Sequence, residues 1–323
     1  MLFMLAVVDI TIWHWAGFIA CVLVFLALDL GVFHRKAHTV GFKEALGWTA
    51  VWFTLAMLFA WGLRPLRGEK EALEFVTGYL IELSLSMDNV FVIALIFGYF
   101  RVPSQFQHRV LFWGILGALV MRGMMIWAGV ALISMIGWIL YVFGVFLVYS
   151  GIKMMLVETE VEPEKNPVIR WVRKVYPVSP HLDGHKFLTH WNGRLALTPL
   201  GLVLIMVETT DLLFAVDSIP AIFSVTTKPF IVFTSNVCAI LGLRSLYFVL
   251  AGAINYFRFL KYGLSLVLVF VGIKMLLSPH DKPPKWYQME IPISASLAIV
   301  AGVILVSIIA SILVARKDEK KEP

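Results

Sequence analysis

Apolar residues run along the chain in blocks of about twenty, separated by shorter polar segments. A transmembrane helix needs about 20 predominantly apolar residues. Nine blocks qualify, at about 13–33, 46–63, 75–99, 110–131, 137–156, 195–224, 230–253, 262–277 and 291–314. The pattern predicts an all-α polytopic membrane protein with about nine transmembrane helices. Composition supports this: 60% of the 323 residues are apolar and 15% charged, against about 25% charged in an average soluble domain. A chain of this size has too few water-tolerant side chains to cover a soluble surface. No Lys or Arg precedes Arg35, so the positive n-region of a signal peptide is not visible. The first apolar block is expected to remain as a span.

Charge in the connecting segments sets the orientation. Of the 27 Lys and Arg, eighteen fall on one side of the nine spans and six on the other; Arg122, Arg244 and Lys274 lie within spans or at their ends. The positive-inside rule then places the N-terminus outside and the C-terminus in the cytoplasm. The longest loop, 157–194, falls on the inner side. It passes from acids (Glu158, Glu160, Glu162, Glu164) to bases (Arg170, Arg173, Lys174) and carries His181, Asp183, His185 and His190. These spacings match no strict ligand pattern and predict a solvated polar loop. The two cysteines, Cys21 and Cys238, are isolated, which argues against a thiolate metal site or a CxxC redox centre.

Two three-span stretches echo each other. Gly151-Ile152-Lys153-Met154-Met155-Leu156 and Gly272-Ile273-Lys274-Met275-Leu276-Leu277 agree at five of six positions, 121 residues apart. The same offset pairs Tyr141 with Tyr262, and one more residue pairs Arg122 with Arg244. Upstream, Asp88-Asn89 aligns with Asp217-Ser218, and Glu82 with Asp211. Three spans per unit is odd, so the second copy is expected upside down, a transporter arrangement with its site near the midplane between the halves. The predicted organisation is a two-span segment (1–74), a first repeat (75–156), a cytoplasmic loop (157–194), an inverted second repeat (195–277), and a last span with a basic tail (278–323).

Six acids fall inside the predicted spans: Asp29, Glu82, Asp88, Glu208, Asp211 and Asp217. At about 2.5–3.5 kcal/mol each, they would together cost roughly 15–20 kcal/mol unpaired, more than a typical domain's stability. Arg122 and Arg244 can balance charge but are too few to neutralise six carboxylates, so a cation or protons are expected to supply the rest.

Spacing sorts these acids. Glu208 and Asp211 are three apart and share a helix face; so do Glu82, Ser86 and Asn89. Asp88 and Asp217 each follow an acid by six, about 240° round a helix, and in an unbroken helix point elsewhere. Pro220 cannot donate to the Val216 carbonyl, so a bend beside Asp217 is expected, with a freed oxygen of the kind that holds cations in transporters. The remaining donors are oxygen atoms, including Asn89, Asn236, Ser84, Ser86, Ser218, Thr209 and Thr210, and no histidine lies mid-span. Such sites suit Mg²⁺, Ca²⁺ and Mn²⁺, whereas zinc and copper favour imidazole or sulfur.

Glu82-Leu-Ser-Leu-Ser-Met-Asp88-Asn89-Val-Phe-Val and Glu208-Thr-Thr-Asp211-Leu-Leu-Phe-Ala-Val-Asp217-Ser-Ile-Pro220-Ala resemble the paired signatures of the TerC/Alx family. Asp29 in its Leu-Asp-Leu setting, Thr234-Ser-Asn236 and both Gly-Ile-Lys-Met copies fit as well, and the long loop suggests the Alx branch. The resemblance spans nearly the whole chain. It implies a bacterial inner-membrane protein of the LysE-like transporter superfamily; the family's own name derives from tellurium resistance, and some of its members carry a redox-modulator label and others a link to manganese export. The expected function is export of Mn²⁺ by alternating access, with proton coupling a further expectation. The metal set would be Glu82, Asp88, Asn89, Glu208, Asp211, Asp217 and Asn236, with Asp29 a further candidate, and Arg122 and Arg244 would balance charge. Mn²⁺ enters as substrate; no resident cofactor, nucleic acid or enzymatic activity is expected. The alternatives are Ca²⁺ transport and a non-transporting redox modulator supporting tellurite resistance.

Overall fold

A computed structural model describes residues 9–28, 41–156, 167–251, 259–279, 286 and 288–319. Asp29 lies outside the described residues, as do Glu158, Glu160, Glu162 and Glu164. Helices dominate: α1 (Ile12–Leu28), α2 (Phe42–Arg67), α3 (Glu69–Tyr99), α4 (Ser104–Met135), α5 (Ile139–Leu156), α6 (Pro167–Val175), then a hairpin of β1 (Leu188–Trp191) and β2 (Arg194–Leu197), then α7 (Pro199–Phe223), α8 (Pro229–Ala251), α9 (Leu260–Leu277) and α10 (Ile293–Glu319). Among the described residues, eight helices are long and apolar enough to cross a membrane, and the shorter α1 is apolar throughout. They coincide with the nine apolar blocks. The protein is an all-α polytopic membrane protein.

The helices of the two repeats interleave. α3 packs on α8 and α7, α4 on α7 and α8, and α5 on α9. The α5–α9 contact shows the internal symmetry directly. A Cβ on Gly151 would meet the Ser265 carbonyl at 2.8 Å and the Val269 nitrogen at 3.0 Å; one on Gly272 would meet the Gly144 carbonyl and the Val148 nitrogen, both at 2.8 Å. The repeat offset of 121 carries 144 to 265, 148 to 269 and 151 to 272. The two sets of contacts are therefore one contact made twice, as a two-fold inversion between the halves requires. Glycine at 151 and 272 lets the two backbones approach this closely, the usual device of membrane helix pairs. α8 is the most enclosed helix, with 89% of its apolar span buried; α2, α4, α5 and α10 leave most of theirs outward. Trp127, Trp61, Leu305 and Val306 on those outward faces are largely exposed, as lipid-facing side chains are.

Three local features depart from the sequence reading. First, α2 and α3 are joined by Gly68 alone, at φ +90°, a conformation costly for residues with a Cβ. α3 therefore begins at Glu69, and Glu71 and Glu74 lie within it, buried. Second, the loop between the repeats contains a helix and a hairpin. The hairpin turns through Asn192-Gly193, both at positive φ (51° and 74°), the usual chemistry of a two-residue turn. Ile169 and Val172 of α6 are buried in the same core as Val102, Leu200 and Val203. Thr198 closes the segment by capping α7: it accepts from the Gly201 N–H at 3.1 Å and donates to the Lys186 carbonyl at 2.7 Å. Third, α7 continues as helix through Pro220. The proline sits in the last turn, where one ladder bond is lost and the Ser224 N–H closes the end on the Pro220 and Ala221 carbonyls.

Candidate cation site at the crossing of α3 and α7

α3 and α7 run antiparallel. Asn89 meets Asp211, and Glu74 meets Thr226, so numbers rise on one helix as they fall on the other. α4 lies alongside α7 in the same direction, Gly114 against Val207 and Gly129 against Phe223. Arg122 on α4 reaches into this three-helix junction and is 1% exposed. Its Nε donates to Asp211 Oδ2 at 3.1 Å and its Nη2 to Asp211 Oδ1 at 2.8 Å, the forked geometry that a guanidinium makes with a carboxylate. Its Nη1 donates to Glu82 Oε1 and to Ser218 Oγ at 3.4 Å. Asn89 Nδ2 completes the group by donating to Asp211 Oδ1 at 3.3 Å. Glu82 and Asp211 are repeat mates, and so are Asn89 and Ser218. The centre therefore holds one neutral polar side chain and one acid from each half, bridged by one arginine.

Glu208 extends the group. It lies one turn before Asp211 on the same face of α7, and its carboxylate packs against Gly117 of α4, where a Cβ would collide with it. Its repeat mate is Tyr79, so the third acid has no counterpart in the first half. Glu82, Asp211 and Glu208 against Arg122 leave a formal surplus of two negative charges. Several buried polar atoms here make no hydrogen bond: Glu82 Oε2, Glu208 Oε2 and the Asn89 carbonyl oxygen. Buried polar atoms are paired in most structures, and three such oxygens beside surplus negative charge are the chemistry of a hard-cation site. In this arrangement no three His, Cys, Asp or Glu side chains among the described residues converge as ligands round one ion, because the guanidinium itself stands between Glu82 and Asp211.

The other sequence-predicted residues lie apart from that group. Asp217 accepts from Ser150 of α5 at 2.8 Å and is half-buried, as is Asp88. The 240° spacing anticipated that neither would share the face of Glu82 or Asp211. Asn236 is fully buried on α8, and both its amide atoms lack a hydrogen-bond partner. Arg244 is buried on the same helix; the ion pairs at the crossing are made by Arg122. Thr209 and Thr210 donate to the carbonyls of Ile205 and Met206. In the interrepeat segment Asp183 accepts from Thr189 at 2.8 Å and pairs with Lys186 at 3.2 Å, which holds its carboxyl below the usual range.

A second buried acidic cluster, absent from the sequence reading, sits at the Gly68 end of α3. Arg67 grips Glu71 at 2.7 and 3.0 Å. Lys228 reaches Glu71 at 3.0 Å and Glu74 at 3.3 Å, and Thr226 donates to Glu74 at 2.9 Å. The sequence signal was present: Glu71 and Glu74 are three apart and precede Tyr79 and Glu82 in register. Hydropathy placed the span start at residue 75 and so hid them.

Comparison with known proteins agrees with this architecture. The chain matches the family described as "Integral membrane protein TerC family" over residues 67–319. An uncharacterized membrane protein of Myxococcus xanthus is 54% identical, the alignment covering 94% of this chain and 92% of that one. The protein of Escherichia coli (strain K12) named "Putative membrane-bound redox modulator Alx" is 47% identical over 95% of this chain and 96% of its own. An uncharacterized membrane protein of Rickettsia bellii is 39% identical over 93% and 97%. No solved structure matches. With the family match covering most of the chain and Alx proteins aligned along nearly all of it, this protein belongs to the TerC family of integral membrane proteins.

Proposed function

We propose that this protein moves a divalent cation across the membrane, with Mn²⁺ as the physiological ion and export as the direction. One observation carries the reading: Glu82 and Asp211, one acid from each half, share a single arginine at the crossing of α3 and α7, and Glu208, one turn away on α7, adds a third carboxylate with no ion pair among the described residues. The surplus of two charges equals the charge of the ion. Glu82, Asn89, Glu208 and Asp211 form the centre of the site. Asp88 and Asp217 line the flanking faces towards α9 and α5, and Asn236 adds a buried amide from α8. Arg122 acts as the exchangeable counter-charge: it releases Glu82 and Asp211 when the cation enters and returns when the cation leaves. Protons on the vacated carboxylates would do the same work, which makes the protein an H⁺-coupled antiporter. The distribution of Lys and Arg supports a cytoplasmic C-terminus, and the similarity to bacterial membrane proteins supports the inner membrane as its place.

The test is Mn²⁺ flux in proteoliposomes holding the full chain, with and without a pH gradient, and with Ca²⁺ as competitor. Flux that follows the gradient and is blocked weakly by Ca²⁺ is the expected result. Flux indifferent to the gradient removes the coupling, and Ca²⁺ outcompeting Mn²⁺ changes the ion. Absence of any Mn²⁺ flux from correctly folded protein returns the reading to the redox role in the Alx name. For that role the chain offers only two free thiols, Cys21 on α1 and Cys238 on α8.

A further inference from the structure

α6 is a nine-residue helix whose three faces differ in chemistry. Ile169 and Val172 are buried against the apolar ends of α3 and α7. Trp171 and Val175 lie on a second face, 63% and 53% exposed, and Tyr176 follows them at 47%. Arg170, Arg173 and Lys174 occupy the third. None of these three cations forms an ion pair with a described residue. Beside them opens a cavity of about 480 Å³, lined by Arg173, Ser179, Phe100 and Leu202. Phe100 and Leu202 belong to the ends of the membrane helices α3 and α7, so the cavity sits at the membrane boundary. In water, an exposed Trp, Val and Tyr together are unfavourable. At the headgroup level an amphipathic ring is in its preferred setting. An amphipathic helix with aromatic and basic faces is the form that lies in the interface plane.

We propose that α6 and the cavity beneath it form a binding site for the phosphate headgroup of an anionic membrane lipid. Arg170 and Lys174 face the headgroup layer, Arg173 turns to the cavity, and Trp171 and Val175 enter the acyl boundary. Charge selects the occupant. The segment lies on the side that the Lys and Arg distribution predicts to be cytoplasmic, where anionic lipids attract basic residues with about a fivefold gain in binding per cation. This site is independent of cation transport.

The experiment is native mass spectrometry of the full chain in uncharged detergent, titrated separately with phosphatidylglycerol, phosphatidylethanolamine and inorganic phosphate. Preferential retention of phosphatidylglycerol is expected. The triple variant Arg170→Gln/Arg173→Gln/Lys174→Gln should reduce that retention on the order of 100-fold for three charges. The all-lysine variant Arg170→Lys/Arg173→Lys should keep most of it. Thermal unfolding of each variant shows that the fold is intact, which is expected because all three side chains are exposed. Equal retention of the two lipids, or a triple variant that keeps its phosphatidylglycerol, overturns the proposal. So does inorganic phosphate that displaces the lipid at equal concentration, since the site would then be one for free anions. A last arm replaces Glu158, Glu160, Glu162 and Glu164 by Gln. If headgroup preference appears only in that variant, these acids are the partners of α6, and the proposal fails.

Discussion

Two acidic clusters lie along α3, about two to three turns apart, one built on Glu71 and Glu74 and the other on Glu82, and they differ in one respect. At the Gly68 end, Glu71 and Glu74 face Arg67 and Lys228, two charges against two, and both carboxylates are bonded. At the crossing with α7, Glu82 joins Asp211 and Glu208 round one guanidinium, and oxygen atoms are left over. Burial alone does not separate the sets: Glu74 is 3% exposed and Glu82 0%. The balance of charge does. A buried acid with its own cation is a structural bond; a buried acid in surplus is the charge that the proposed ion would neutralise. Counting acids in apolar segments, as the sequence permits, cannot make this distinction, because the partners come from α2, α4 and the α7–α8 turn.

The strongest way to break the comparison is Arg122→Gln. It leaves Glu82 and Asp211 buried without a cation, and loss of one partner from a buried pair costs about 3–5 kcal/mol. A large fall in thermal stability in detergent is expected. Arg122→Lys should recover little, since an ammonium cannot reproduce the fork on Asp211 while reaching Glu82. The double variant Arg122→Gln/Asp211→Asn should recover much of the loss. A stable Arg122→Gln protein would mean that Glu82 and Asp211 do not depend on Arg122 for their charge balance.

Next in size is a matched pair of substitutions, one in each set. Glu74→Gln weakens the bonds to Thr226 and Lys228 and should cost about 1–3 kcal/mol. Glu208→Gln removes one of two like charges on a single helix face and should leave stability unchanged or raise it. Their responses to Mn²⁺ should be reversed. A ligand at 100 times its Kd stabilises by about 2.7 kcal/mol; that gain should persist in Glu74→Gln and vanish in Glu208→Gln. Titration by differential scanning fluorimetry reads both effects. Identical Mn²⁺ responses in the two variants would erase the distinction between the sets. Smaller again is Lys228→Met. Lys228 is 41% exposed, so its loss should cost about 1 kcal/mol or less and matter least at high salt.

The sequence made the nine spans legible because each is a long apolar run, and the inversion legible because the Gly-Ile-Lys-Met copies bracket an odd number of spans. It also showed that Asp88 and Asp217 leave the face of the first acids, since helical geometry follows from spacing alone. What was hidden was tertiary or masked by composition. Nothing local says that Arg122, rather than Arg244, would take acids from both halves. Gly68 turning the chain by itself brought Glu71 and Glu74 inside α3, where hydropathy saw a polar loop. The Asn192-Gly193 turn was readable but lay within a charged stretch scored as solvated. Pro220 suggested a broken helix; its nearness to the end of α7 makes the lost bond inexpensive, and the helix stays whole.

The finest test lies within α7, between Asp211 and Asp217. Both are acids on one helix, six residues apart, yet Asp211 faces Arg122 and Asn89 whereas Asp217 faces Ser150. In Asp217→Asn the amide oxygen can still accept from the Ser150 hydroxyl, so the local bond survives and stability should change by about 0.5 kcal/mol or less, as at sites where no named interaction is lost. Asp211→Asn takes away a carboxylate of the proposed site and half of the Arg122 fork. Mn²⁺ flux should therefore fall much further in Asp211→Asn than in Asp217→Asn, by a ratio on the order of ten, the equivalent of one hydrogen bond to a charged group. Equal losses would place Asp217 in the ion's path at the same rank as Asp211. The site would then extend from the α3–α7 crossing out to α5, and the surplus of charge that defines it would have to be counted over both faces of α7.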